Sequence, residues 1–340
     1  MTAVATRIAE MTSGYLPAMV VFAAVDVGLF DALTAPRSFA ELAASSAASP
    51  DGIARLCRAL ASLGLVTLAG DIVTAEPAAR AALARDGEGS LVGLVQMHRR
   101  LLLPPALQLG DAVRTGAPQH AAWPFADAPV ASSPYDELAR HPAELRALVL
   151  GMDHDSAGVG AAIARTVDLG DARLLVDLGC GGGVVARELL AAVPALRIVS
   201  VDSAAACDVA RARSAAQGLA ARHVFEPGDA RRGVAVRDAD VVLLSALLAD
   251  FPRAERATIL RHARTALRPG GRVLVSETLL ADDRCGPPRA ALLSLLTLAV
   301  TRGDQLSGAE LIGELEDAGF EAPVIHRGEP RDLVVAVTPR

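Results

Sequence analysis

Lysine is absent from this 340-residue chain, whose 33 basic residues are all arginine. Schiff-base chemistry, pyridoxal phosphate attachment and a P-loop each require a lysine, so all three are excluded. The formal net charge of −6 argues against a general nucleic-acid-binding surface, because phosphate binding relies on clustered positive charge. It leaves room for a local basic patch.

Cysteine is also scarce, and its spacing does not match a metal site. The four cysteines are Cys57, Cys180, Cys207 and Cys285. The apolar run near the end, 290–301, is too short to cross a bilayer. The N-terminus shows no basic segment followed by an apolar one, as a secretory signal would. We therefore expect a cytoplasmic protein with reduced thiols, no metal and no membrane partner.

The first 103 residues indicate short helices followed by a hairpin. Ser38 and Glu41 fit a capping box, and Ser49 before Pro50 fits the start of a helix that ends at Gly64. The segments 65–68 and 72–74 predict a tight hairpin. This order is typical of a winged helix, so residues 1–103 are predicted to form one such domain. Residues 104–170 are predicted to form a helical connector that contributes to a substrate pocket.

Residues 171–340 alternate between strand and helix patterns, which predicts an α/β fold with a doubly wound, mostly parallel sheet. The predicted strands are 173–177, 197–202, 222–226, 239–245 and 272–277, and the predicted helices lie near 184–193, 204–217 and 254–267. A second capping box at 307–310 starts a final helix that ends at Gly319. The tail, 322–327 and 332–338, predicts a hairpin at the sheet edge.

The most informative stretch is a strand that ends in an acid and then a glycine-rich turn. Asp177 is followed by Gly179, Gly181 and Gly183, and a helix opens at once. The glycines allow a ligand to lie against the main chain, and the helix N-terminus offers unpaired N–H groups. An acid at the start of the turn suits a cationic or amine-bearing ligand, and Asp202, ending the next strand, can hold ribose hydroxyls. The pattern favours S-adenosylmethionine (SAM) over a dinucleotide.

The whole chain resembles the two-domain, SAM-dependent O-methyltransferases of the caffeate and hydroxyindole type, and in particular their bacterial natural-product branch. The segments that carry the resemblance are 23–33, 41–43, 114–116, Met152 with Ser156, the glycine turn, 228–229, 269–271 and 318–320. The resemblance implies an N-terminal helical dimerisation domain, a homodimer, and a SAM-binding Rossmann-like sheet. It also implies SAM, or its product S-adenosylhomocysteine, as the cofactor.

Site residues follow from the resemblance position by position. Those implied for the cofactor are Asp177, Gly179, Gly181, Gly183, Asp202 for the ribose, Gly228, Asp229 for the adenine amine, Ser245, Phe251 and Ser156. Ser245 stands where the family often has lysine. Phe251 stands in place of a tryptophan and can still stack on adenine.

The resemblance breaks at the reacting centre, where the family has a proton-abstracting histidine and this chain has Ala249. One of the two glutamates that flank the base is retained as Glu277, and the other becomes Gln305. His154, between two acids, is a candidate replacement base, with a solvent-facing histidine as the alternative. Asp250 is the second candidate, with a local hydrogen-bond acceptor as the alternative that the sequence favours. Glu277 can contact substrate or serve as a structural acceptor.

Three function classes follow. The first is a SAM-dependent methyltransferase of small-molecule biosynthesis, acting on oxygen or carbon of an aromatic or polyketide-like acceptor without the usual base. The second is a SAM-binding enzyme that catalyses cyclisation, elimination or hydroxylation. The third is a ligand-sensing DNA-binding regulator, which is disfavoured because the presumed recognition helix, 50–63, carries only Arg55 and Arg58 as cations.

Overall fold

The computed structural model describes residues 2–87, 89–127, 130–131 and 133–340, in two compact units, Met1–Arg99 and Arg100–Arg340. The first unit is mainly helical and contains a small antiparallel sheet in the order β1-β3-β2. Its helices are α1 (Ala3–Ser13), α2 (Leu16–Asp26), α3 (Leu29–Ala32), α4 (Phe39–Ser45), α5 (Pro50–Ser62), α6 (Pro77–Leu83) and α7 (Val92–Met97). Its strands are β1 (Arg37–Ser38), β2 (Val66–Ala69) and β3 (Ile72–Ala75).

The predicted start signals of this unit are confirmed. The Glu41 amide donates to Ser38 Oγ over 3.3 Å and the Ser38 amide donates to Glu41 Oε2 over 2.7 Å, which completes the capping box of α4. Ser49 caps α5, and Gly64 follows that helix with a φ of 72°. β2 and β3 pair as the predicted hairpin. The core centres on Leu29, Phe30, Leu42, Ile53 and Leu60.

The N-terminal helices differ from the rest of this unit because they expose their apolar side chains. Val4, Ile8, Met11 and Tyr15 are each more than half exposed. The 24-residue segment Ala3–Asp26 is long and apolar enough to cross a membrane by length and composition: it contains an 18-residue window with a mean hydropathy of 1.5, of which 11% is buried.

The second unit begins with helices and then builds a seven-stranded sheet. The helices are α8 (Leu103–Ala106), α9 (Leu109–Thr115), α10 (Pro134–Ala139), α11 (Pro142–Asp155), α12 (Val159–Thr166), α13 (Val184–Ala192), α14 (Ala204–Ala216), α15 (Arg253–Ala266), α16 (Pro288–Val300) and α17 (Gly308–Asp317). The strands are β4 (Leu174–Leu178), β5 (Arg197–Asp202), β6 (His223–Pro227), β7 (Ala239–Ser245), β8 (Leu267–Glu277), β9 (Glu321–His326) and β10 (Asp332–Val337). A π-helical segment, His98–Leu102, precedes α8, and 3-10 turns lie at His120–Ala122 and Leu248–Asp250.

The strand order is β6-β5-β4-β7-β8-β10-β9, parallel except for β10, which runs antiparallel to both neighbours. The predicted doubly wound sheet and edge hairpin are confirmed. The order reverses at β4, so a crevice opens beyond the carboxyl ends of β4 and its neighbours, where such folds bind ligands.

One predicted boundary was wrong. β8 begins at Leu267, five residues before the predicted start, because Leu267 pairs with Ala239 across a register shift. Gly270, with a φ of 71°, bends the strand and donates its amide to the Pro339 carbonyl over 3.1 Å. β8 therefore extends through the Pro-Gly-Gly segment 269–271, whose sequence is typical of a turn.

Candidate active site

The glycine turn, residues 179–183, joins β4 to α13 at the crevice. Gly179, Gly181 and Gly183 have φ values of 76°, 53° and 75°, a region that favours glycine. A Cβ at Gly179 would lie 2.7 Å from Leu247 Cδ1, and one at Gly182 would lie 2.4 Å from Asp153 Oδ2. The turn is therefore pressed between two neighbouring segments. At Gly181 the space that a Cβ would enter is open, as the approach of a ligand to the main chain requires.

Asp202 ends β5 beside this turn and is tied to it. Its Oδ2 accepts from the Gly181 amide over 2.9 Å, and its Oδ1 accepts from the Ser203 amide over 2.6 Å. Burial raises the pKa of Asp202, while these two amides oppose the rise. A carboxylate has about four lone-pair positions. The Asp202 side chain therefore retains acceptor capacity for the two hydroxyls of a ribose.

Asp177 lies deeper, within β4, where its side chain is buried. Its Oδ2 accepts from Ser200 Oγ over 3.4 Å, and Ser200 Oγ is 2.8 Å from His223 Nε2. Burial, reinforced by the charge of Asp202, raises the pKa of Asp177 to about 7. An ammonium or sulfonium ligand nearby would favour the ionised form. This fits the prediction that the acid suits a cationic cofactor.

A cluster around Phe251 lies beyond the ends of β6 and β7. The Gly228 amide donates to the Asp202 carbonyl over 2.8 Å. This bond brings Asp229 close to Asp202, the residue predicted to hold the ribose. Arg231 donates to both Asp229 oxygens, over 3.0 Å from Nε and 2.8 Å from Nη2, and its guanidinium lies 5.5 Å from the Phe251 ring centroid. Burial alone would raise the pKa of Asp229, but the bonds from Arg231 outweigh it and lower that pKa. Arg231 therefore contacts both Asp229, predicted to bind the adenine amine, and Phe251, predicted to stack on adenine.

The serines predicted to contact the cofactor are also joined through an arginine. Arg331, in the loop just before β10, donates to Ser245 Oγ over 3.3 Å and to Ser156 Oγ over 3.0 Å. The same guanidinium donates to the Asp155 carbonyl over 3.2 Å. The structure therefore brings α11, β7 and the β9–β10 loop together at one point.

Ala249, at the position predicted for the base, is buried in the 3-10 turn after β7. Glu277 Oε1 accepts from the Leu247 and Leu248 amides over 2.9 and 2.8 Å, and burial raises its pKa to about 7. Of its two predicted roles, the structure shows the structural one. A Cβ at Gly303 would lie 1.9 Å from the Ala249 carbonyl oxygen, so the segment that carries Gln305 packs directly on this turn.

The remaining candidate bases are held in other ways. Tyr135 donates a hydrogen bond to Asp250, whose pKa is raised to about 6 by burial. Asp250 therefore serves as a local hydrogen-bond acceptor, the alternative given for it above.

His154 is exposed on α11, and Asp153 beside it pairs with Arg187 over 3.3 Å. Asp155, on its other side, binds Arg289 over 3.1 Å and Arg331 over 3.4 Å, so both carboxylates that flank His154 pair with arginines.

Among the described residues, one group brings three metal-ligating side chains together: Asp127, Glu137 and His141. Glu137 already accepts from the Asp127 and Ala131 amides over 3.0 and 2.8 Å, from Arg140 over 3.2 Å, and lies 3.3 Å from His141 Nε2. These donors occupy the lone pairs of the Glu137 carboxylate. We therefore interpret the group as a set of hydrogen bonds that stabilises the connector rather than as a metal site.

Three site residues were missed in the sequence: Tyr135, Arg231 and Arg331. Arg231 lies two residues after Asp229, and its proximity to a predicted cofactor residue was the available signal. Tyr135 and Arg331 reach the site from elements 115 and 86 positions away from their partners Asp250 and Ser245. No local pattern marks such residues.

The site fits comparisons with known proteins. The O-methyltransferase domain family matches residues 107–321, and the O-methyltransferase dimerisation domain family matches residues 9–85. Acetylserotonin O-methyltransferase of Mus musculus is 31% identical, over 92% of this chain and 82% of the relative. The 3-hydroxy-5-methyl-1-naphthoate 3-O-methyltransferase of Streptomyces sahachiroi is also 31% identical, over 92% of this chain and 89% of the relative.

Among solved structures, PigF with S-adenosylhomocysteine superposes with a TM-score of 0.90 at 27% identity, over 99% of this chain and 100% of that one. The match places a cofactor product in a neighbour of the same fold, in agreement with the glycine turn and Asp202. The chain therefore belongs to the family of SAM-dependent O-methyltransferases that carry an N-terminal dimerisation domain.

Proposed function

We propose that this enzyme methylates oxygen or carbon of an aromatic or polyketide-like metabolite, and that the acceptor reacts without a histidine base. The relative named for a hydroxynaphthoate supports an aromatic acceptor. We further propose that the enzyme acts as a homodimer in the cytoplasm, in the biosynthesis of a small molecule. The matched dimerisation domain supports the dimer.

One observation carries the proposal: Gly181, Asp202 and Gly228, all predicted to bind the cofactor, are joined by hydrogen bonds, whereas the position predicted for the base carries only the methyl group of Ala249. Methyl transfer from a sulfonium is a displacement whose main requirement is alignment. A phenolic hydroxyl with a pKa of about 10 needs deprotonation first, and a positioned base contributes about 100- to 10,000-fold. An acidic enol or an electron-rich carbon needs less help.

The same observation supports the second function, a non-methylating reaction in which the charge of SAM or the pocket shape acts on the substrate.

The third function, a DNA-binding regulator, is disfavoured because the two cations of α5 contact other residues of the same unit. Arg55 pairs with Asp51 over 2.8 Å, and the Arg58 guanidinium lies 5.7 Å from the Phe39 ring centroid. Both cations are therefore engaged within their own unit.

Reactions with methyl-labelled SAM and a panel of hydroxylated aromatic and polyketide acceptors, followed by mass spectrometry, separate these functions. A gain of one labelled methyl group supports the proposal. An isomer, or a product that lacks the label, supports the second function. Sequence-selective DNA binding without turnover supports the third.

Restoring the histidine tests the role of the missing base. In Ala249→His we expect turnover of the methylated acceptor to stay level or fall, because the imidazole fills space beside the Gly303 segment and the acceptor needs no proton transfer. Single-turnover rates with saturating SAM measure this. A gain of about 100-fold, the typical contribution of a general base, would show that the native reaction lacks a base it needs.

His154→Ala distinguishes an absent base from a replaced one. Because His154 is exposed and its neighbouring carboxylates bind arginines, we expect kcat to change by less than about threefold. His98→Ala, a histidine outside the predicted site, provides the matched control. A loss of about 100-fold in kcat with unchanged SAM affinity would instead identify His154 as a replacement base.

A further inference from the structure

Arg331 is a nearly buried cation at the cofactor crevice. Its side chain is 5% exposed, and it enters from the loop between β9 and β10, an element that carries none of the predicted site residues. Its Nη1 reaches Ser245, and its Nη2 reaches Ser156 and the Asp155 carbonyl. Two of these three partners are residues predicted to contact the cofactor.

The charge of Arg331 acts on two acids, Asp155 and the buried Glu277; it lowers the pKa of Glu277, but burial keeps that pKa raised to about 7, so Glu277 compensates the charge only in part. The ion-pair contact of Arg331 is to Asp155 Oδ2 over 3.4 Å, and Asp155 is also bound by Arg289 over 3.1 Å through Oδ1. The carboxylate of Asp155 is 39% exposed, so solvent screens it. A buried guanidinium is costly unless it is paired, which makes this position favourable for an anionic ligand group.

The strand order indicates which end of SAM would reach Arg331. Asp202 and Asp229, predicted for ribose and adenine, lie beyond β5 and β6, on one side of β4. Ser245 ends β7, on the other side of β4. A cofactor that crosses the glycine turn from the ribose acid therefore places its amino-acid end next to Ser245 and Ser156. That end carries the only carboxylate of SAM.

We propose that Arg331 binds the carboxylate of the cofactor's amino-acid end, and supplies from the C-terminal hairpin the cation that position 245 lacks. A guanidinium matches a carboxylate through two parallel N–H donors, which makes it well suited to this role. The inference rests on the proposed placement of SAM across the glycine turn. Serine has no positive charge, so the role of Ser245 in this proposal is to orient Arg331 by accepting its hydrogen bond.

Calorimetry with SAM and with decarboxylated SAM tests the assignment. The wild-type protein is expected to prefer SAM by about 10- to 100-fold, the range of a charge-assisted hydrogen-bonded contact. Arg331→Ala should lower SAM affinity by that factor and leave the affinity for decarboxylated SAM within about twofold. Arg327→Ala is the matched control, because Arg327 lies on the same loop and pairs with Asp332 over 2.8 Å.

Two further variants separate ligand binding from folding. Arg331→Lys, which keeps a cation, should retain part of the preference for SAM. Ser245→Lys combined with Arg331→Ala should restore much of it, because the ammonium then stands on β7. The inference is overturned if Arg331→Ala binds SAM like the wild type, or loses both ligands equally. Absence of SAM binding by the wild-type protein would instead overturn the placement of the cofactor itself.

Discussion

Replacing Asp202 by alanine is expected to weaken SAM binding by about 100-fold or more. The side chain would hold two ribose hydroxyls, and hydrogen bonds to a charged group each contribute about 1.5–3 kcal/mol. It also fixes the glycine turn by accepting from the Gly181 amide over 2.9 Å. The substitution therefore removes a ligand contact and loosens the turn on which the cofactor rests. Calorimetric titration with SAM measures the loss.

Asp208→Ala is the matched control, because Asp208 lies on α14 with a side chain that is 74% exposed and pairs with Arg211. It should bind SAM as the wild type does. Thermal melting of both variants without ligand shows whether the Asp202 substitution acts through binding or through unfolding. Unchanged SAM affinity in a folded Asp202→Ala protein would contradict the cofactor site proposed here.

The glycine turn and the two elements that flank it could be predicted from sequence because local rules determine them. β4 is a short apolar strand, the turn needs glycines at positive φ, and α13 follows immediately. Each of these constraints acts within about ten residues. The two capping boxes, at Ser38 and Ser307, were predictable for the same reason, since both partners lie within one helical turn.

The remaining contacts depend on segments that are distant in sequence. Tyr135 reaches Asp250 from the connector, and Arg331 reaches Ser245 from the last hairpin. Composition and periodicity say that such residues belong to a helix or a loop, but not which crevice they face. The sequence placed His154 between two acids and left a solvent-facing histidine as the alternative; in the structure His154 is exposed and Asp153 pairs with Arg187.

The role of Glu277 also needed the structure. The sequence placed it at the end of a buried strand and left open whether it contacts substrate. Its bonds to two successive amides show that it holds the turn carrying Ala249. Glu277 therefore has a structural role that does not depend on a base at position 249, because the backbone of the turn requires an acceptor.

The second large effect is expected at the exposed face of α1. Val4, Ile8 and Met11 follow at helical spacing on α1, and Tyr15 continues that spacing just after the helix ends at Ser13; these four residues define one apolar stripe. A second copy of the chain is the expected partner, since the dimerisation domain family matches residues 9–85. Ile8→Glu places a charge in the middle of the stripe. We expect it to convert the homodimer into monomers or soluble aggregates at micromolar concentration, as measured by light scattering and sedimentation.

Thr6→Glu is the control for this change, because Thr6 lies on the opposite side of α1 from the stripe and is itself exposed. Both variants add one negative charge to the same helix, so a difference between them depends on the face and not on charge. The dimer should persist in Thr6→Glu and be lost in Ile8→Glu. If both variants remain dimeric, the stripe is not the interface. Binding of the wild-type protein, but not of Ile8→Glu, to neutral phosphatidylcholine vesicles would then assign the apolar face of Ala3–Asp26 to a membrane surface instead.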